Sequence, residues 1–467
     1  MKRTRPWLAF ALATALCAAQ GPAERAARLL PQAARVRGLP PPAHLKIVER
    51  SAREIAEEEG AEALADDEVE AAADRLTLHE RLGLTVASAA PRSLDAFDHA
   101  LRRGVVAGYY DPDERALVLV PEPNPPAPGR FLTLDWREIL GPPFVDDDAS
   151  TIVHEYGHAL QHARAPRLFD ADAAGDADVE LAVRSLLEGD AVLLEAAFML
   201  ARAGVAPEFA FRAHFAAALA ATFEAESMDD EDRIAAAEDY VAAAFDFPYA
   251  AGVRFAAAAA RRHGGFRGID AALDDPPLST EQILHPEKWL GPRRDHPLAI
   301  AEPEGWSGPP GYDIVAADVL GEFGWRRRLA GRAGAQSPDF AARRQARRGA
   351  EGWGGDLCLL HRNARGSTAV SALVVLDSPR DAAEFAAALT RRLSAETSTE
   401  PTTTAAERAG TSEPIPLRFV RRGELAEGVF LLEDAVAWLS DYPRQSLFGD
   451  ARRLLRESTR TPRTKLH

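Results

Sequence analysis

The chain has 467 residues, 46% of them hydrophobic and 27% charged, with a formal net charge of −16. That length can bury more than one core, while so acidic a surface repels phosphate backbones and excludes nucleic acid as an expected partner. Cysteine occurs at positions 17 and 358 only; once Cys17 leaves with the N-terminal segment described next, no internal disulfide and no cysteine-ligated zinc can form.

Lys2, Arg3 and Arg5 precede a short apolar run, Trp7 to Ala19, that ends in Cys17-Ala18-Ala19. This is the pattern of a signal peptide over residues 1–19, so the chain is expected to be exported, to a periplasm or the outside medium. The run is shorter than the ~20 residues of a membrane span, and no later segment is long and apolar enough to form one. Leu16 stands where a lipid-attachment motif wants a small residue, so lipid anchoring at Cys17 is not expected. Residues 20–43, rich in Ala, Arg and Pro, read as a linker.

From His44 to about Leu82 the pattern is helical and acidic. Val105–Tyr110 and Arg115–Val120 are β-prone runs around Asp111-Pro112-Asp113-Glu114, a hairpin signal, and Pro121–Gly129 reads as a loop. A helix is expected from about Ser150 to Ala163, preceded by Asp146–Asp148, whose charges suit a helix N-terminus. A second long helix spans Asp176 to Ala203, with Ala-rich helices over 206–226 and 230–262. The Pro/Gly-rich passage at 291–311 reads as a domain boundary. Beyond it, Ile314–Leu329 looks helical, and strands fit 357–360, 370–376, 417–420 and 428–439. Helices fit 379–393 and 444–456, with a Ser/Thr/Glu loop over 394–413. The expected fold is α+β and mainly α. A catalytic domain over 44–310, with a small sheet and a metal-binding helix, precedes a smaller α+β domain over 311–467.

The chemistry concentrates in His154-Glu155-Tyr156-Gly157-His158. Two His at i and i+4 lie above one another on a helix face and can share one ion, and the intervening Glu is placed to take a proton from metal-bound water. Zinc lowers the pKa of that water from about 15.7 to about 7. The metzincin extension would need Gly at 161 and His at 164, where the chain has Gln161 and Arg164. His162 continues the i+4 row but lies roughly 12 Å along the axis from His154, too far to share the ion. The second helix is the better source of a third ligand: Arg184, Glu188 and Glu195 form a polar stripe on an otherwise apolar helix. A buried carboxylate there needs a partner, which zinc or an Arg184–Glu188 ion pair would supply.

The runs Thr151–Gln161, Leu187-Glu188-Gly189-Asp190-Ala191 and Ser279–Lys288 together resemble an exported bacterial zincin-like family, similar in motif plan to the Glu-zincin metallopeptidases. Ala107–Pro112 and Gly352–Asp356 belong to the same pattern, so the likeness extends over most of residues 105–390. It implies His154, His158 and Glu188 as zinc ligands and Glu155 as general base. The chain departs from thermolysin-like members at Val192, where they place an Asp, which leaves the orienting partner of the ligand histidines unassigned. For the donor to a developing oxyanion, His285 is the first candidate and Tyr249 the second. Gly352-Trp353-Gly354-Gly355 reads as a turn packed on Trp353, not as a nucleotide loop.

The expected activity is therefore that of a zinc-dependent peptidase acting on a peptide or protein, with the Val105–Val120 hairpin able to pair with extended substrate. A non-catalytic zincin-fold scaffold with structural zinc, and an amidase or esterase on a non-peptide substrate, are the alternatives. Oligomeric state is not legible.

Overall fold

The computed structural model describes residues 21–59, 66–85, 108–120, 147–170, 176–226, 240–336, 340–397 and 413–466. The signal segment 1–19 and the loop at 121–129 lie outside these residues, as do Val105–Ala107 of the hairpin. The fold is α+β and mainly α. Its N-terminal portion holds helices α1 (Pro22–Arg37), α2 (Ala52–Glu59), α3 (Asp66–Arg81), α4 (Asp147–Arg164), α5 (Ala177–Arg202), α6 (Ala213–Glu226), α7 (Tyr240–His263), α8 (Phe266–Asp274), α9 (Thr280–Leu284) and α10 (Pro286–Leu290). A three-stranded sheet, order β1-β3-β2, is formed by β1 (Lys46–Glu49), β2 (Gly108–Asp111) and β3 (Ala116–Leu119). Here β2 and β3 form the expected antiparallel hairpin, and β1 adds to β3 in parallel.

Within residues 20–43, the stretch read as a linker, Pro22–Arg37 form a helix. Ala26, Leu30, Ala33, Ala34 and Arg37 recur at helical spacing and are all buried in α1, which packs on α4 and α5. Alanine is the strongest helix former, so the composition that suggested a linker in fact builds a helix. Gly38 ends it in the left-handed conformation, φ 78°, with its N–H donated to the Ala34 carbonyl at 2.9 Å. The acidic stretch that follows likewise opens with a strand, β1, before its helices begin.

Helix α5 is the axis of this portion. Asp176 caps it by accepting from the Val179 N–H at 3.0 Å, and it is buried on nearly every side, as an all-round apolar helix must be. Two glycine contacts let its neighbours come close. A Cβ at Gly157 of α4 would already touch Ala191 of α5 at 3.4 Å. Gly189 of α5 meets Gly252 of α7 closer still: a Cβ at Gly189 would lie 2.2 Å from the Gly252 oxygen, and one at Gly252 would lie 2.0 Å from the Ser185 oxygen.

The C-terminal portion comprises β4 (Leu298–Ala301), β5 (Tyr312–Asp318), α11 (Gly321–Gln336), α12 (Phe340–Ala350), β6 (Trp353–Asn363), β7 (Thr368–Leu376), α13 (Pro379–Thr397), β8 (Ile415–Arg422), β9 (Leu425–Leu432), β10 (Ala435–Pro443), α14 (Leu447–Glu457) and β11 (Thr459–Pro462). Six strands form an antiparallel sheet in the order β5-β6-β7-β10-β9-β8. Alternate residues of β7 feed two cores: Val370, Ala372 and Val374 face the main one, while Ala369, Leu373 and Val375 face a smaller one with α14.

Two expectations here are corrected, and the passage at 291–311 gains a strand. Ile314 and Val315 lie in strand β5, where Ile314 pairs with His361 of β6 and Val315 falls at a bulge, and the helix starts only at Gly321. The run 428–439 is two strands, β9 and β10, joined by a turn at Glu433, φ 53°. The passage at 291–311 contains β4, which pairs with β11 near the C-terminus, so it is tied into the fold. Trp353 is buried at the start of β6 and donates to Asp356 at 2.8 Å.

Substituting Gly189→Ala forces backbone apart at the α5–α7 crossing and should cost about 1–3 kcal/mol or more. Gly449→Ala, in α14 with open space around it, should be neutral or stabilising by up to about 1 kcal/mol. Urea unfolding of the two variants checks the difference, and equal midpoints would disprove the tight crossing.

Candidate metal centre

The expected helix over 150–163 is α4, and it presents His154 and His158 on one face, ring centroids 5.1 Å apart. Glu188 reaches them from α5. Its Oε2 lies 3.2 Å from His154 Nε2 and 3.5 Å from His158 Nε2. Zinc with ligands at ~2.0–2.1 Å in tetrahedral array separates neighbouring donor atoms by ~3.3 Å, so the spacing fits one such ion. The anticipated Arg184–Glu188 pair does not form: Arg184 lies over the Phe245 ring, 6.0 Å from its centroid.

The hydrogen-bond partners of the two rings bear on whether a cation belongs there. Leu187 O can only accept, so the Gln161 Nε2 donating to it at 2.9 Å fixes the amide orientation. Gln161 Oε1 therefore faces His158 Nδ1, at 2.9 Å, and accepts its proton. On the other ring, His154 Nδ1 faces Glu195 Oε2 at 3.5 Å. That contact is an ion-pair approach and not a hydrogen bond; with a proton on each Nδ1, both Nε2 lone pairs would point at the Glu188 carboxylate. Three acceptors in mutual contact require positive charge between them.

When only protons can supply that charge, the basicities respond. Burial opposes the imidazolium of His154, yet hydrogen bonding to Glu188 and Glu195 prevails and raises its pKa well above the usual value. Burial likewise opposes charge on His158, but Glu188 raises it. Glu188 is driven well below the usual carboxylate range by the two rings, against its own burial.

Glu155 sits beside these groups, buried, and burial raises its pKa although both histidines pull the other way. Its Oε2 accepts the backbone N–H of Tyr110 at 3.0 Å. That N–H belongs to β2, the outer strand of its sheet among the described residues, and is directed away from β3 toward α4. Among the described residues, this edge of the hairpin faces the candidate centre.

Tyr249 of α7 stacks on His154, centroids 6.3 Å apart at 28°, with Phe223 and Phe245 beyond it. His285 lies at the junction of α9 and α10, where its Nε2 is 3.0 Å from Glu322 and accepts from Arg326 at 3.2 Å. None of its bonds among the described residues reaches His154, Glu155, His158 or Glu188. His162 is held by the Tyr110 hydroxyl at 2.8 Å, apart from the ligand set.

A second acidic group, Glu281, Asp295 and Asp377, has the spacing of a cation site. Lys288 Nζ lies 2.7 Å from all three and supplies the charge itself. Among the described residues no such cation stands between His154, His158 and Glu188.

Sequence reading missed Glu195 and Gln161 as the groups that orient the two rings. Glu195 lies seven residues after Glu188, two turns along α5, and so takes over the role that Val192 leaves vacant. Position 161 entered only as a failed metzincin glycine. The signal available was periodicity: Gln161 is i+3 from His158, and Glu195 is i+7 from Glu188.

A family model described as Domain of unknown function (DUF8575) matches residues 312–424, a stretch that does not include the candidate centre. No curated protein and no solved structure matches the chain. Among the described residues no helix is long and apolar enough to cross a membrane.

With zinc titrated into the purified chain, Glu188→Gln should abolish tight binding, and Glu195→Gln should weaken it about 10–100-fold, as loss of an orienting partner does. Chelator competition ranks the two. The reverse order would make Glu195 the ligand.

Proposed function

We propose that the chain is an exported zinc-dependent hydrolase of the zincin type that cleaves peptide bonds. The observation that carries this reading is the convergence of His154 Nε2, His158 Nε2 and Glu188 Oε2, an arrangement of acceptors suited to a cation, with a buried carboxylate, Glu155, beside it. His154, His158 and Glu188 would hold the ion, which when bound supplies Lewis acidity and a water acidic enough to react at neutral pH. Glu155 has one oxygen engaged by Tyr110 N–H; its Oε1 is the atom to receive the proton of the attacking water and later pass it to the leaving amine.

The peptide preference rests on β2. An extended polypeptide pairing along its outer edge would run past Glu155, gaining main-chain hydrogen bonds without a particular side chain. For the donor to the oxyanion we favour Tyr249, in ring contact with His154, over His285, which Glu322 and Arg326 already engage. Export follows from the basic and apolar pattern of residues 1–19.

Glu155→Gln should retain the fold and about one zinc per chain while losing about 10²–10⁴-fold or more in turnover, because a positioned base contributes on that scale. Elemental analysis and cleavage of a mixed peptide library, run at matched zinc content, check both halves. A zinc-loaded wild type that cleaves nothing would leave a scaffold or a non-peptide substrate. Full activity in Glu155→Gln would remove the mechanism.

A further inference from the structure

Arg37 closes α1 and is buried, 2% exposed, an uncommon place for a guanidinium. Its Nε lies 2.9 Å from Asp190 Oδ1, and its Nε and Nη2 donate to Asp190 Oδ2 at 3.3 and 3.1 Å. Nη2 also lies 2.7 Å from Asp270 of α8, and the Phe266 ring packs against the guanidinium, 4.8 Å from centroid to Cζ. Asp190 in turn accepts from Gln161 Nε2 at 3.0 Å, and Gln161 Oε1 accepts from His158 Nδ1 at 2.9 Å. One unbroken series of polar contacts therefore runs from the N-terminal helix to a candidate metal ligand.

We infer that Arg37 is a positioning residue for the metal centre, acting through Asp190 and Gln161 to hold His158 with its proton on Nδ1 and its Nε2 lone pair turned to the ion. The inference rests on the metal-centre reading proposed above. Each link does a separate task. The Gln161 amide could present either its oxygen or its nitrogen to His158. Presenting nitrogen would favour the tautomer with Nε2 protonated, which cannot ligate. Two acceptors on the far side, Leu187 O and Asp190 Oδ2, oppose that flip. Leu187 O is fixed by the backbone of α5. Asp190 is a side chain in the interior, and Arg37 gives it a charge partner and, through Nε and Nη2 converging on Oδ2, a direction that a single ammonium would fix less well.

The arrangement also assigns α1 a purpose. A buried ion pair adds little net stability compared with apolar packing, so stability alone is a weak reason for Arg37. Fixing the donor direction of a ligand is a stronger one, since outer partners of metal ligands set affinity by factors of ten or more. A helix that carries this support cannot be cut away as a propeptide without loosening the ion.

The test uses the full chain and reads zinc affinity beside stability. Arg37→Met and Gln161→Met are made singly and together, with Arg37→Lys as the conservative variant. For each, the zinc Kd is measured by chelator competition, and Tm is taken with and without saturating zinc. Arg37→Met should raise the Kd about tenfold and shrink the zinc-induced rise in Tm. Arg37→Lys should recover part of the loss. The double variant should bind zinc no more weakly than Gln161→Met alone, because both changes break one series of contacts. A merely structural Arg37 would lower Tm equally with and without zinc and leave Kd unchanged, and that result overturns the inference. Additive losses in the double variant overturn it too. If Arg37→Met does not fold, the Arg37→Lys and Gln161→Met pair carries the same comparison. Wild-type protein that binds no zinc would instead overturn the metal-centre reading on which the inference stands.

Discussion

Two imidazole nitrogens each lie 3.2–3.5 Å from one buried carboxylate oxygen, an arrangement that needs positive charge, from a proton or an ion, to be favourable. Much of the surrounding architecture serves to impose that contact. α4 supplies both rings from one face, and α5 supplies the carboxylate. The two helices must then lie close enough for short side chains to meet. Gly157 provides the close approach on the α4 side, because a side chain there would press on Ala191. Gly189, directly after the ligand Glu188, provides it on the α7 side, where backbone meets backbone at Gly252. The Gly in Glu188-Gly189-Asp190 thus has a packing reason, and its consequence is that Tyr249, three residues before Gly252, reaches the His154 ring.

The two rings are oriented by different means. His154 Nδ1 faces a carboxylate, Glu195, at 3.5 Å, carried by the same helix as the candidate ligand Glu188. His158 has an amide, Gln161, from its own helix, backed by Asp190. A carboxylate partner raises ligand basicity more than an amide does, so the two nitrogens are not equivalent donors. The neutral amide instead works through geometry, and geometry of this kind must itself be held, which is why the His158 side recruits the longer series through Asp190 to Arg37. The electrostatic cost of burying these groups is met locally by pairing, as burial of charge demands.

What the sequence made legible follows from how local each signal is. The metal helix, the hairpin and the long second helix carry their own period, turn and cap signals, and all three stand where expected: Asp176 caps α5, and Asp111–Arg115 turns between β2 and β3. His154 and His158 could be paired in the sequence because an i, i+4 spacing on one helix is a local property, whereas Glu188, on the next long helix, entered as a candidate through its polar stripe and the family resemblance. What escaped was of two kinds. Gln161, Glu195 and Arg37 act through contacts between residues distant in the chain or on faces no motif marks, and one sequence contains no pairing information for them. Elements such as α1 and β5 were misread because composition was weighed above periodicity. Ala26, Leu30, Ala33, Ala34 and Arg37 spell a helix face that an Ala/Arg/Pro count conceals, while Ile314 and Val315 were absorbed into the apolar run of the helix behind them.

The C-terminal sheet has a physical connection to the centre although it contributes no ligand. It grips the start of α5 and its surroundings through buried polar groups. Asp318 of β5 accepts from the N–H of Ala177, the first residue of α5, at 3.4 Å, while Asp178 beside it accepts from the N–H and hydroxyl of Thr280 of α9 at 3.0 and 2.5 Å. Asp318, at the end of β5, is 2.8 Å from His79 of α3. Asp356 of β6 accepts from the N–H groups of Leu320 and Gly321, each at 3.0 Å, and so shapes the turn that packs on Asp178. Gly321 must be glycine there, with φ 65° and a Cβ position already occupied by the Asp178 carboxylate. Glu188 lies ten residues further along α5, roughly 15 Å on a rigid helix. Any shift or rotation of α5 at its capped end would be carried to Glu188 and Glu195 together, since one helix bears both. The sheet thereby fixes the rotational setting of the helix on which ligand and orienting carboxylate depend, and a catalytic role for it is not needed to explain why it is docked so firmly.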